Sequence, residues 1–196
     1  MADKTGVEDE PRSRRLLPRQ QRRAQLIRAG AAAFARRGFA ETGLEDVARE
    51  AGVTRAIIYR HFASKTDLYQ AILDHTQAQL REHLGTPEQY DENTVPALVR
   101  AACEDPDGFR LLFVHAQREP EFTAWAQERN RIAARTTESY LRDRIPDAAH
   151  RRWIAGLIPR LTVEFILSWL DADRPTSPDE LVATIRATSR ALSARR

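Results

Sequence analysis

Residues 48–62 read AREAGVTRAIIYRHF, and this run restricts the fold more than any other in the chain. Ala48 is small where two helices cross closely. Gly52 can adopt the left-handed backbone that turns the chain. Val53 and Ile58 can fill a small core beneath. These positions predict a helix-turn-helix whose second helix stands at a steep angle and presents a row of side chains to solvent. At about 100° per residue, with Ile58 inward, Phe62 is inward too. Ala56 and Arg60 lead the outer face, with Ile57 and Tyr59 on its flanks. No acid occurs between Ala51 and Ala63. A small, basic, aliphatic and aromatic face without acids suits a surface that meets phosphate, whereas a merely solvated face is usually built from Glu, Lys and Gln.

The rest of the chain reads as helix almost throughout. Ala, Leu, Arg, Glu and Gln dominate, with almost no strand-like alternation, so the fold class is all-α. A first helix should begin at Pro18, bury Ile27, Gly30, Ala31 and Phe34, and stop at Gly38. A second should span about 44–51, a third about 54–62 with Thr54 as N-cap, and a fourth should follow Ser64 to about 84. The stretch 85–94 reads as a loop. Further helices are expected over 96–104, 106–118, 119–144, 147–171 and 179–194. Pro159 should kink or break the fourth of these.

The charge is uneven. Net charge is +3, but residues 1–65 carry +6 and residues 66–196 carry −3. A basic first third is the footprint of a polyanion partner. The single cysteine, Cys103, leaves no internal disulfide framework and fits a reducing cytosol. The charged start is no secretory signal, and no apolar run approaches a membrane span, so the cytoplasm is the expected location and no membrane partner is expected. No GxSxG, GxxxxGK or HExxH run occurs, and no cofactor is expected. His75 and His83 are two turns apart, too far to share a metal without other ligands, so no metal site is expected.

Thr42, Val47, Ala48, Ala51, Gly52, Val53, Thr54, Ile58, Tyr59, His61, Phe62, Lys65 and Leu68 together resemble the DNA-binding domain of the TetR (tetracycline-repressor-like) family, most strongly in AGVT and IYRHFASKTDL. The resemblance covers about residues 19–70. It implies that Thr42, Thr54, Tyr59, His61 and Lys65 bind phosphates, and that Arg55, Ala56, Ile57 and Arg60 lie against base edges. The chemistry agrees where it can be checked: arginine can hold guanine with two hydrogen bonds, and Ile57 can meet a thymine methyl. Two positions depart from the family pattern. Gly43 stands where Thr or Ser commonly caps the second helix, and Ala56 stands where Gly commonly lets the third approach the groove. The domains implied are a disordered basic arm (1–17), a three-helix helix-turn-helix domain (18–65), and a helical effector-binding and dimerisation domain (66–196). Arg12, Arg14 or Arg15 of the arm could enter a minor groove, or the arm could be a solvated tail.

The back two thirds offer candidates for an effector pocket: Phe109, Phe113, Trp125, Arg129 and Glu164, where aromatic and apolar side chains surround isolated charges. For each, ordinary core is the competing reading, with Arg129 extending to water and Glu164 pairing with Arg160 one turn earlier. The helix over 147–171 is apolar nearly all round. Trp153, Leu157, Leu161, Phe165 and Trp169, with Leu181, Ile185 and Leu192 of the last helix, are the expected dimer interface, forming a four-helix contact between two copies. The expected protein is a homodimeric transcriptional regulator, a repressor that binds a palindromic operator in double-stranded DNA and is released by a small-molecule effector. The alternatives are a DNA-binding regulator without an effector and a helical enzyme or adaptor. Against the last stands the lack of any nucleophile–base cluster.

Overall fold

The computed structural model describes residues 17–86 and 90–194. Among these described residues ten helices follow one another: α1 (Arg19–Glu41), α2 (Leu44–Ala51), α3 (Arg55–Tyr59), α4 (Lys65–Leu84), α5 (Thr94–Glu104), α6 (Pro106–Arg110), α7 (Ala116–Arg118), α8 (Thr123–Tyr140), α9 (Ala148–Asp171) and α10 (Pro178–Ser193). A π turn, Leu111–His115, joins α6 to α7. No strand occurs among the described residues. The expected arm lies almost wholly outside them.

Local chemistry explains most helix ends. Gly38 breaks the helical path of α1 with φ +79°, a left-handed value that glycine adopts without a Cβ penalty. Gly52 closes α2 at φ +62°. The Ser64 hydroxyl accepts from the Asp67 N–H at the start of α4, at 3.0 Å. Ser177 and Glu180 form a reciprocal capping box at α10. Pro159 lies inside α9, which continues past it unbroken. The proline removes one N–H bond, but the packed turns on either side keep the helix in register. The helix expected over 119–144 starts later, at Thr123, because Glu119 leaves the helical region (φ −91°, ψ 120°).

The largest core joins the front of the chain to the back. Leu26, Phe34, Val47, Ile58, Phe62, Leu68, Tyr69 and Ile72 pack in one cluster with Leu111, Leu112, Ala116, Phe122 and Ala126. Phe34, Phe39, Tyr69 and Phe122 meet edge to face, tilted or stacked, with ring centroids 4.7–6.0 Å apart. A second core gathers α5, α9 and α10 around Val99, Phe109, Ile166, Trp169, Leu181 and Ile185. By length and composition α9 could cross a membrane, contrary to the expectation that no run approaches a span. Seven of its residues are buried against the protein itself.

Candidate nucleic-acid interface and effector cavity

The turn between α2 and α3 is built as its spacing predicts. The Val53 N–H donates to the Ala48 carbonyl at 2.9 Å. Ala48, Ile58 and Phe62 are buried, and Ile58 is fully enclosed. The Gln25 side chain donates to the Ala51 carbonyl at 2.9 Å, which fastens the end of α2 to α1. Thr54, Arg55, Ala56, Tyr59 and Arg60 are exposed on α3 and its ends, and Ile57 is half-buried.

Arg60 makes no ion pair or side-chain hydrogen bond among the described residues, so its donors are open. Arg55 is engaged. It pairs with Glu45 of α2 and donates to the Tyr59 hydroxyl at 2.7 Å, with its guanidinium 5.2 Å from the Tyr59 ring centre. The acid-free run of 51–63 is therefore bordered by an acid from the preceding helix. The same contacts, the Tyr59 hydrogen bond first, raise the Arg55 pKa above its ordinary value.

His61 is half-buried, and its Nδ1 meets no hydrogen-bond partner among the described residues. Burial, then Arg19, Arg60, Arg22 and Arg23, hold its pKa below the ordinary 6.5. Arg19, Arg22 and Arg23 belong to the first turns of α1, where the first helix was expected, and they extend the basic surface beside α3, a role the sequence reading did not give them. The signal was present in PRQQRR, whose cations recur at helical spacing after the N-terminal proline.

Two expected phosphate contacts occupy other places. Thr42 is buried, and its hydroxyl donates to the Gly38 carbonyl at 2.7 Å. It satisfies a backbone group freed where Gly38 breaks α1. Lys65 is half-buried, with Nζ 2.7 Å from the Phe39 carbonyl and 4.3 Å from the Phe39 ring centre. It clamps the end of α1 to α4. Gly43 caps α2 through its N–H, which donates to Asp46 Oδ2 at 2.9 Å. That bond, with Arg37 and Arg49 nearby, lowers the Asp46 pKa.

Behind this surface lies a cavity of about 340 Å³ between α4, α5, α8 and α9. Phe113, Trp125 and Arg129 line it, with Leu80, Leu98 and Val163 among the apolar walls. Phe109 does not line it. That residue is buried in the second core and borders a separate void of about 20 Å³. Glu164 is also elsewhere. It is exposed on an open groove of about 860 Å³ that shares Phe113 and Arg129 with the cavity. It makes no ion pair with Arg160 among the described residues.

Arg129 is unusual in this setting. Its Nε and Nη1 are shielded from water and meet no hydrogen-bond partner among the described residues. The Nη2 contact to Asn130 is long, at 3.5 Å. The guanidinium lies 4.0 Å from the Phe113 ring centre and 5.8 Å from that of Trp125. Burial pulls its pKa down to about 10, against a smaller opposing effect of Tyr90. Even at that value it remains cationic at neutral pH, and a buried cation without an anion costs several kcal/mol, roughly.

The expected dimer residues divide. Trp153 is 65% exposed, and Leu157, Leu161 and Phe165 continue the same four-residue stripe along α9, half-buried. Leu192 is also half-buried. Trp169, Leu181 and Ile185 instead pack inside the second core of the same chain. The sequence reading set Trp169 on an interface because α9 is apolar nearly all round, and Leu181 and Ile185 because they form an apolar stripe on the last helix. The inward sides meet α5 and α10 within the chain.

A tight turn between α2 and α3, a short second helix pinned by a small core, and a basic outer face define a helix-turn-helix DNA-binding regulator. Residues 26–72 match the model for bacterial regulatory proteins of the tetR family. The chain is 31% identical over 176 residues to the HTH-type transcriptional activator FasR of Mycolicibacterium smegmatis, covering 85% of this chain and 80% of FasR. It is 43% identical over 77 residues to the HTH-type transcriptional regulator TtgR of Pseudomonas putida, covering 39% of this chain and 36% of TtgR. A TetR-like transcriptional regulator from Rhodococcus sp. RHA1 shares the fold with a TM-score of 0.78 at 18% identity, over 92% of this chain and all of that one. The chain belongs to the tetR family of bacterial transcriptional regulators.

Proposed function

We propose that the protein is a cytoplasmic repressor that binds a palindromic operator as a homodimer and releases it when a small molecule fills the cavity behind α4. Thr54, Arg55, Ala56, Ile57, Tyr59, Arg60 and His61 form the reading surface. Arg60 and Ile57 read base edges, Thr54, Tyr59 and His61 meet phosphates, and Arg19, Arg22 and Arg23 add to the basic field. Arg55 must exchange Glu45 for DNA. Thr42 and Lys65 shape the surface by fixing the end of α1. The family forms dimers, and the stripe Trp153, Leu157, Leu161 and Phe165 is the surface for a second copy.

The observation that carries the reading is the shared wall. Leu80 and Leu84 of α4 line the cavity, while the same helix begins at the Lys65 clamp on α1. Phe113 and Trp125 line the cavity and also pack against the core beneath α3. A ligand that alters their packing therefore has a physical route to the reading helix. It shifts the equilibrium only to the extent that it favours one arrangement of the dimer over another. A regulator without an effector is the competing reading, and the cavity argues against it. Selection of fragments bound from genomic DNA tests the proposal. The expected product is a palindrome with half-sites about one helical turn, ~34–36 Å, apart. Enrichment of no palindrome overturns it. FasR is an activator, so the sign of control here is decided by whether deletion raises transcription beside the enriched sites.

A further inference from the structure

We infer that the cavity takes an amphipathic monocarboxylate, with its head on Arg129 and its apolar body between α4, α5, α8 and α9. The inference rests on the effector reading above and names the chemistry of that ligand. The space of about 340 Å³ lies at the small end of ligand sites, which run ~300–1,000 Å³. Its walls are mostly aliphatic and aromatic, so the body of the ligand is apolar. Among the described lining residues, Arg129 is the cation whose nitrogens are shielded from water. Arg81 and Glu128 also border the cavity, but both are exposed, and Glu128 already pairs with Arg131.

The guanidinium explains the charge of the head. Its side-on fork uses Nε and Nη2, and its end-on fork uses Nη1 and Nη2. Each fork therefore contains a nitrogen that has no partner. A carboxylate accepts two parallel hydrogen bonds from either fork. One buried positive charge matches one negative charge, which disfavours a dianion. A cationic ligand would add a second positive charge beside Arg129, and Glu128, the acid among the described lining residues, is exposed and already paired with Arg131.

Titration calorimetry on the full chain without DNA tests this with three probes of equal length: decanoate, decanamide and decylammonium. Decanoate is expected to bind once per chain, about tenfold or more tighter than decanamide, with decylammonium weakest; tenfold is ~1.4 kcal/mol. Arg129→Gln should erase the preference for decanoate over decanamide while leaving decanamide binding in place. Arg129→Met gives the same readout if the glutamine variant fails to fold. The inference is overturned if decanamide or decylammonium binds as tightly as decanoate, if the Arg129 variants keep the preference, or if none of the probes binds. These measurements contain no operator, so they fail independently of the fragment selection. Decanoate binding that leaves operator affinity unchanged would uphold the ligand class and overturn effector-controlled release.

Discussion

Arg60 and Lys65 stand five residues apart, and both are cations beside the reading surface, yet their surroundings assign them different work. Arg60 is open, whereas Lys65 holds the Phe39 carbonyl. Arg60→Ala should leave stability within about 0.5 kcal/mol and relax operator specificity at one base pair per half-site, at a cost of ~1–3 kcal/mol. Binding to a panel of operator variants checks this, and an equal loss on every variant would make Arg60 a phosphate contact. Lys65→Ala should lower stability by about 1 kcal/mol in denaturant unfolding, because a charge-assisted hydrogen bond is lost. Unchanged stability would return Lys65 to a phosphate role. The reason these surroundings of Lys65 and Thr42 were not legible in the sequence is local. Both satisfy carbonyls exposed where Gly38 breaks α1, and a motif match does not reveal which backbone groups a distant break leaves open. Ile58 and Phe62 were legible because their burial follows from helix phase alone.

At the scale of elements, helix positions were largely readable from caps and glycines, while the sides of α9 were not. An all-apolar helix has no phase, so sequence could not separate Trp169, which faces α5 and α10, from Trp153, which faces out. The π turn was also invisible, since its one-residue widening changes backbone pairing and leaves composition alone. It carries His115, which is half-buried. Burial first, then Arg118, lowers the His115 pKa below the ordinary 6.5; Glu119 and a hydrogen bond to the Ala35 backbone oppose this. His61 is lowered too. Between those lowered values and about 6.5 the unfolded chain binds more protons than the folded one. Stability should therefore rise with pH through that window and level off above it. Urea unfolding across the window should show the slope, and His115→Gln should reduce it. An identical slope in the variant would assign the effect elsewhere.

For the whole molecule, the proposed assembly turns on the α9 stripe. Trp153→Asp should give a monomer by sedimentation, with helical content intact and operator affinity strongly reduced, because a single copy grips one half-site. A dimer that survives Trp153→Asp together with Phe165→Asp would move the interface off this stripe. Substitutions at Trp169 or Ile185 should unfold the chain instead, as core truncations of this size cost ~2–5 kcal/mol.

The core that unites Phe34, Ile58 and Tyr69 with Leu111, Ala116 and Phe122 also limits how this protein can be recombined. A chimera joined at residue 65 would expose half of that core and leave the other half unfilled. A reading head transplanted onto another sensor would need a host that reproduces the faces of the π turn and α8. The DNA-reading surface and the helices that line the cavity thus share one core. Changing the lining of the cavity disturbs less of that core than exchanging domains does.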